Sequence, residues 1–595
     1  MIVLARSRYA LRHVRYCALF MVAASMGLSA QAAEPASLAR LAPESATAYA
    51  EIAQPQALVE TARETRWQTL LGQNDKWQTF LQSKDGGRFK AAVRTIEDQL
   101  QMPWHQALSE LTGGGLAVVA DPFERWSLLL VRAQNADVLA KVRQLAINFG
   151  ELASLASGKP SPLQASDHRG VEVWNVAGQA AYALVPDKKL LIAGNRRDDV
   201  IAAVDRLLDG GRSLVDQPEF KAAQTANAGN DNAWGWLQLA KFRSLPQWEK
   251  LQTAPRSNVA TESLLGGLME ALDRASYLAV QAKVTDGRLA VRWQVPFDRE
   301  QVSANRQWYF APASQNAAPV LIQPYGTILS VSVYRNYAQM WQLRDQLFDQ
   351  ETLAKLNQAD GSLSMFFSNR DFGSQVLDEL EPGSRLIVAR QKFADGQPVP
   401  AVKLPAFALM LELKHPEQFS PTLVAAYQTA VGVANLDGVQ KGKPQLLQQT
   451  AEYRGATLYQ ARYLTPPGEP QQTVELIYNF SPTCATVKNH FIIASTAELA
   501  RQLIDELQRD ESSRATANNI QAALNLEHLA AILADNEQAL VTQNILSKGN
   551  TRAKAQSEVA LILRVLRELG TAELRLTPAN GMLELEAKMD LPKLE

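Results

Sequence analysis

Leu111-Thr112-Gly113-Gly114-Gly115 followed by Leu116-Ala117-Val118-Val119-Ala120 reads as a helix end, a glycine turn and a short apolar strand. A second apolar run, Trp126 to Val131, follows at hairpin distance. The same sequence of events returns later in the chain. Glu381-Pro382-Gly383 leads into Leu386 to Ala389, and Phe407 to Leu413 supplies the partner run, which sets Leu128 against Leu409. The spacing predicts two copies of one unit.

Working outward, the parallels continue in order. Leu41-Ala42-Pro43 with Ala48 to Ile52 matches Ile322-Gln323-Pro324 with Leu329 to Val333. His168-Arg169-Gly170 before Val171 to Val176 matches Tyr453-Arg454-Gly455 before Ala456 to Ala461. Leu190 to Ala193 matches Phe491 to Ala494, each leading into a helix that carries Val204-Asp205 or Ile504-Asp505. Thr285-Asp286-Gly287 and Ala579-Asn580-Gly581 turn between two terminal strands. Short apolar runs closed by Asp-Gly or Asn-Gly turns are antiparallel hairpins. Helical spacing over Val138 to Leu155 and Val559 to Leu569 supplies covering helices. Ser495-Thr496-Ala497-Glu498 reads as a capping box. The expected fold class is α+β: two duplicated units, each a mainly antiparallel sheet packed with helices. The expected divisions are a signal peptide over 1–32, unit one over 34–298, a connection over 299–318 and unit two over 319–595. Trp308-Tyr309-Phe310 is expected to pin that connection to a surface.

The N-terminus reads as an export signal. Arg6, Arg8, Arg12 and Arg15 precede an apolar run from Cys17 to Leu28, and Ala30-Gln31-Ala32 has the small-x-small pattern that signal peptidase reads. The run is short for a membrane span, which needs about 20 residues. The expectation is cleavage before Ala33 and a periplasmic protein with no membrane span after signal removal. A retained anchor is the other reading of the same residues.

Composition bounds the chemistry. Of 595 residues, 46% are hydrophobic and 20% are charged, a balance that excludes wholesale disorder. Sixty basic and 61 acidic residues give a net charge of −1, so no basic footprint for nucleic acid exists. Cys17 and Cys484 are the only cysteines, which excludes a disulfide framework.

The order of these features resembles exported bacterial proteins built from domains of unknown function. The resemblance rests on Leu111-Thr112-Gly113-Gly114, on Arg169-Gly170, and on Ser213-Leu214 leading through Pro218 to Phe220. It covers most of the chain beyond the signal, but these motifs are turns, caps and apolar anchors. The resemblance implies no catalytic residue. In the second half the glycine turn becomes Pro382-Gly383, and the Ser-Leu-Pro-Phe step is not evident.

No Gly-x-Ser-x-Gly elbow and no phosphate loop occurs. Asp371-Phe372-Gly373 copies a kinase triplet without the rest of a kinase. His13, His105, His168, His415, His490 and His528 are too widely spaced to read as zinc ligands. Cys484 with His490 is a conceivable thiolate pair, but its apolar strand favours a buried structural thiol. All 11 tryptophans lie from Trp67 to Trp341, and Trp234-Gly235-Trp236 is either an aromatic platform or packing, with packing favoured. Ser368-Asn369-Arg370-Asp371 enters a helix expected over Phe372 to Leu380. Asp371 is expected to cap it, and Asn369, Arg370 and Asp371 are the candidate polar binding residues.

The functional expectation is a non-enzymatic periplasmic binding or scaffold protein of the cell envelope, with no cofactor and no metal. Its partner would be an envelope protein, a peptide or a glycan. The alternatives are a hydrolase whose acidic residues assemble only in the fold, and a carrier of lipid or another hydrophobic ligand.

Overall fold

The computed structural model describes residues 37–53, 55, 75–158, 160–176, 178, 180–227, 232–312, 317–393, 399–463, 475–509 and 516–591. The expected signal peptide and Trp67 lie outside the described residues. The described chain is α+β, with antiparallel sheet and many helices. It divides into two compact units, one of 37–244 with 275–296 and 591, the other of 245–274 with 297–590.

The first unit has ten strands: β1 Ala48–Ile52, β2 Leu116–Asp121, β3 Trp126–Arg132, β4 Leu163–His168, β5 Val171–Val176, β6 Ala180–Val185, β7 Leu190–Gly194, β8 Ala233–Gln238, β9 Tyr277–Thr285 and β10 Arg288–Pro296. All neighbours are antiparallel, in the order β4-β5-β6-β7-β3-β2-β1-β8-β9-β10. The second unit has β11 Thr327–Tyr334, β12 Leu380–Ala389, β13 Ala406–Leu413, β14 Leu446–Tyr453, β15 Ala456–Tyr463, β16 Thr483–Val487, β17 His490–Ala494, β18 Ile520–Asn525, β19 Thr571–Ala579 and β20 Met582–Asp590. Their order is β14-β15-β16-β17-β13-β12-β11-β18-β19-β20, again antiparallel throughout. Strand for strand, the two orders are the same.

The hairpin turns follow from their residues. Arg169-Gly170 and Arg454-Gly455 have φ values of 59°, 83°, 48° and 77°, and Asp286-Gly287 and Asn580-Gly581 have 53°, 72°, 53° and 73°. Two left-handed residues in a row are what a two-residue turn needs to match strand twist.

In the second unit the core face of the sheet packs Ile387, Ala408, Met410, Leu458 and Ile492 against Leu499, Leu503 and Ile504 of the helix Ala497–Gln508. The corresponding helix of the first unit, Arg197–Asp209, buries Val200, Ala203 and Val204. The helices expected around Val138 and Val559 run Ala136–Ser157 and Arg552–Glu568.

Several sequence expectations are corrected. Leu128 does not match Leu409. Leu128 bonds opposite Gly194, two residues before the cap of the next helix, and Ala408 bonds opposite Ala494, also two residues before its cap. A one-residue slip moves a side chain to the other face of a sheet. Ala408 is 0% exposed and Leu409 is 39% exposed. Leu190 likewise matches His490 and not Phe491. Glu381-Pro382-Gly383 is not a turn but lies within β12, beside a register shift between Leu380 and Ser384. The cap at 495–498 is Thr496 alone, whose Oγ1 accepts from the N–H of Leu499, while Ser495 accepts from Phe407.

Residues 245–274 pack with the second unit, although the sequence reading kept them in the first. Buried charge joins the two segments. Arg306 donates to Glu262 at 2.9 and 3.1 Å and to Glu270 at 3.2 Å. Trp308, Tyr309 and Phe310, expected to pin the connection, are fully buried in the core of this unit. The Arg335 guanidinium lies 3.5 Å from the Tyr309 ring centroid and donates to the carbonyls of Ser263, Tyr309 and Tyr334.

Candidate functional site

Both faces of the second unit's sheet are apolar, and only one is closed over its centre. On the far face the register sets Ile493, Leu409, Leu386, Val331, Ala522, Leu574 and Ala587 side by side across β17, β13, β12, β11, β18, β19 and β20. The helix Pro416–Gln440 covers one end, where Phe419 and Leu423 pack on Cys484 and Phe491. Beyond it Val331, Ala522 and Ala587 are half-buried, and the positions on β12, β13 and β17 are exposed. Leu386 is 40%, Leu409 39% and Ile493 40% exposed, and neighbouring Phe407 is 49% exposed. Four adjoining apolar side chains in solvent form a patch, which is informative in a way that scattered ones are not. Chemically the patch can take an apolar surface and offers no charge to it.

The first unit carries a row at the same sheet positions: Ala193, Leu129, Val118, Ala50, Gly235, Val280 and Trp293. Leu129 is exposed, and Ala193, Val118, Ala50, Val280 and Trp293 are half-buried.

Three charged clusters among the described residues bear on the chemistry of the chain. In the second unit Arg385 and His490 both meet Glu412 Oε1 at 3.2 Å, and Arg385 Nε donates to the carbonyl of Val320 at 2.9 Å. Burial pushes the Glu412 carboxyl up, but the His490 bond and the Arg385 charge hold it below the usual range. The Glu262–Arg306–Glu270 cluster also binds Ser303 and Arg274. These two clusters tie segments of one unit together, and each buried charge has a partner, as low-dielectric burial requires. In the first unit Glu51 Oε2 accepts from Tyr49 Oη at 2.9 Å and from Trp234 Nε1 at 3.0 Å. Burial raises the Glu51 pKa, against the pull of these bonds and of Arg132. Burial thus moves this carboxyl in the direction that general-acid chemistry needs.

The aromatic residues around Glu51 are packing. Phe220 sits 5.2 Å from Tyr49, 5.2 Å from Trp234 and 5.4 Å from Trp236 between ring centroids, and Phe220 and Trp236 are buried. This is where the Ser213 to Phe220 step leads: Ser213 and Asp216 cap each other, and Phe220 fills the core. Trp77 is exposed and stacks on Phe80.

Asn369, Arg370 and Asp371 lie together on an exposed turn. Asp371 Oδ1 accepts from the N–H of Ser374 at 2.7 Å and so acts as a cap, with its pKa lowered by those Ser374 bonds. What it caps is one π-turn, Phe372–Val376, then a 3₁₀ turn, Leu377–Glu379, in place of the expected helix to Leu380. Ser368 and Asn369 have φ of 58° and 59°. Cys484 is buried on β16 with its thiol pushed up to about 12 by burial, and its cross-strand neighbour is Ile493, not His490. His168, His415 and His490 each meet one carboxylate. Among the described residues no three metal-ligating side chains cluster, and no helix is long and apolar enough to cross a membrane.

The apolar row was missed by sequence reading. Its signal was present in β13, Ala406-Phe407-Ala408-Leu409-Met410-Leu411, an unbroken apolar run in an antiparallel sheet.

No protein-family model matches the sequence, and no curated protein matches it. Among solved structures the chain is similar to three crystal forms of TP0453. Form I is 7% identical, over 46% of this chain and 82% of that one; form III is 8% identical, over 46% and 83%; form IV is 9% identical, over 44% and 81%. The TM-score is 0.23 in each case, a likeness too slight to carry any argument about fold or function.

Proposed function

We propose that this chain is a non-enzymatic binding or scaffold protein of the bacterial cell envelope, exported to the periplasm and built by duplication of one α+β unit. The observation that carries the binding reading is the open apolar row of Leu386, Phe407, Leu409 and Ile493. About 25 cal/mol is gained per Å² of such surface removed from water, so an apolar ligand or the apolar stretch of a partner is what this face favours. A hydrophobic-ligand carrier is the same reading with a small molecule as occupant. Duplication is supported by the shared strand order and by the paired Arg-Gly turns. Export is supported by Arg6 to Arg15, the Cys17 to Leu28 run and Ala30-Gln31-Ala32.

The test is fluorescence titration of the purified chain with cis-parinaric acid and with anilinonaphthalene sulfonate. Leu409→Lys combined with Phe407→Ser lowers the enhancement severalfold while the circular dichroism spectrum is kept. Equal enhancement by the variant overturns the reading. N-terminal sequencing checks export: a start at Ala33 is expected, and a start upstream of Ala30 refutes it. The hydrolase alternative rests on Glu51 and predicts an activity that Glu51→Gln abolishes.

A further inference from the structure

We infer that the free edge of β14 is a self-association site, at which a second copy of this chain adds its own β14 in antiparallel register about Thr450. Among the described residues β14 bonds to β15 on one side alone. Two observations fix which of its backbone groups face outward. The turn at Arg454-Gly455 makes Tyr453 and Ala456 the closing hydrogen-bonded pair of the hairpin, so 447, 449, 451 and 453 bond inward to β15. At the other end the Asn435 amide takes both outward groups of Leu446, accepting from its N–H at 2.7 Å and donating to its C=O at 2.9 Å. Outward parity therefore falls on Leu446, Gln448, Thr450 and Glu452. Leu446 is closed by Asn435. The N–H and C=O of Gln448, Thr450 and Glu452 have no partner among the described residues, and these three residues are exposed.

Edges of this kind are usually blunted by proline, lysine, a bulge or a covering segment. β14, Leu446-Leu447-Gln448-Gln449-Thr450-Ala451-Glu452-Tyr453, has no proline, no lysine and an unbroken register with β15. The edge strand of the first unit, β4, is shorter and has Asp167 at its turn end.

The sequence of this edge suits a second copy of itself. A two-fold axis through Thr450 sets Thr450 against Thr450 and Gln448 against Glu452. The first is a hydroxyl pair, the second an amide donor facing a carboxylate, and no like charges meet. On the opposite face Leu447, which is exposed, meets Tyr453, and Gln449 meets Ala451. Each outward residue then exchanges both backbone bonds, which makes six across the axis. The ends also agree. Pairing stops at Leu446, whose groups Asn435 has taken, and opposite it stands the other copy's turn at Arg454. Around Asn435 the helix Pro416–Gln440 exposes Val433, Leu436 and Val439, apolar surface that a neighbouring copy can cover. An isologous pair of this kind closes on itself and does not propagate.

The test is the mass of the purified chain by sedimentation equilibrium across a hundredfold range of concentration. Twice the chain mass is expected at the upper end. Thr450→Pro removes an outward N–H without touching the β14–β15 ladder, which an edge strand tolerates, and returns the mass to one chain with an unchanged thermal midpoint. Thr450→Cys in a chain that begins at Ala33, and so lacks Cys17, gives a disulfide-linked dimer on mild oxidation, while the same chain without the substitution, with Cys484 buried, gives none. A single-chain mass throughout overturns the inference, as does a Thr450→Pro dimer. Should Thr450→Pro fail to fold, absence of the Thr450→Cys crosslink overturns it alone.

Discussion

Arg454 Nε lies 2.8 Å from Asp505 Oδ1, which clasps the β14–β15 turn to the helix Ala497–Gln508. Tyr453 Oη joins it, 3.0 Å from Asp505 Oδ2. The first unit repeats the clasp: Arg169 Nη1 is 3.0 Å from Asp205, and His168 Nε2 is 2.8 Å from the same carboxylate. Arg169 has a second partner, binding Asp209 at 2.6 and 2.7 Å. Asp505→Ala leaves Tyr453 and Arg454 without their shared acceptor. The expected cost is about 1 kcal/mol, a fall of about 1–2 °C in the midpoint of a unit this size. Asp205→Ala costs less, because Asp209 keeps hold of Arg169. Calorimetry of the two variants checks the ranking, and equal midpoints contradict it.

The faces of β13 make a sharp contrast between neighbours. Ala408 is enclosed by the core, and Leu409 beside it faces solvent. Ala408→Leu adds volume where none is free and is expected to cost about 1–3 kcal/mol. Leu409→Ser is expected to change stability by less than about 0.5 kcal/mol. Urea midpoints measure both. A costly Leu409→Ser together with a harmless Ala408→Leu would restore the 128–409 match.

How much could be read from the chain depends on which physical rule governed each element. The Arg169-Gly170, Arg454-Gly455, Asp286-Gly287 and Asn580-Gly581 turns were legible, because positive φ leaves few residues to choose from. Strand register was not legible in β13, since apolar residues on both faces erase the alternation that separates Ala408 from Leu409. The assignment of 245–274 was hidden for another reason. It depends on Arg306 meeting Glu262 and Glu270, more than 30 residues away, and pairings over that separation leave no local pattern. Of the candidate polar residues, the Asp371 cap was read from a local rule. The open apolar row needed the tertiary answer to one question, which sheet face the helices leave uncovered.

The Cys484 thiol is held up to about 12 by burial, with Phe419, Leu423 and Phe491 around it. A thiol reacts as its thiolate, so the folded chain at pH 8 is expected to leave Cys484 unlabelled by dithionitrobenzoate. In guanidinium chloride the same residue labels within minutes. Prompt labelling of Cys484 in the native chain, read by peptide mass, contradicts this burial.

Glu270 gives the second unit a defined acid sensitivity. Burial pushes its pKa up, yet bonds from Ser303 Oγ at 2.6 Å, Arg274 Nε at 2.7 Å and the Ser303 N–H at 3.3 Å outweigh it and bring the pKa to about 2, from an ordinary 4.5. The sign follows from where the proton binds. Between these two values the unfolded chain takes up a proton at this position and the folded chain does not, so acid favours unfolding. The stabilisation is complete above the ordinary value and is lost as pH falls through the folded one. Glu412 is lowered as well, so its loss of charge in acid also favours unfolding of this unit. The contribution of Glu270 is isolated by difference. Glu270→Gln is expected to be less stable than the unsubstituted chain at neutral pH, because Arg306 and Arg274 lose a negative partner, and the gap is expected to close as pH drops from about 4.5 towards 2. Urea denaturation followed by circular dichroism at several pH values measures that gap. A gap independent of pH across this window removes the ionised Glu270 carboxylate from the account of what holds residues 245–274 against the second unit's core.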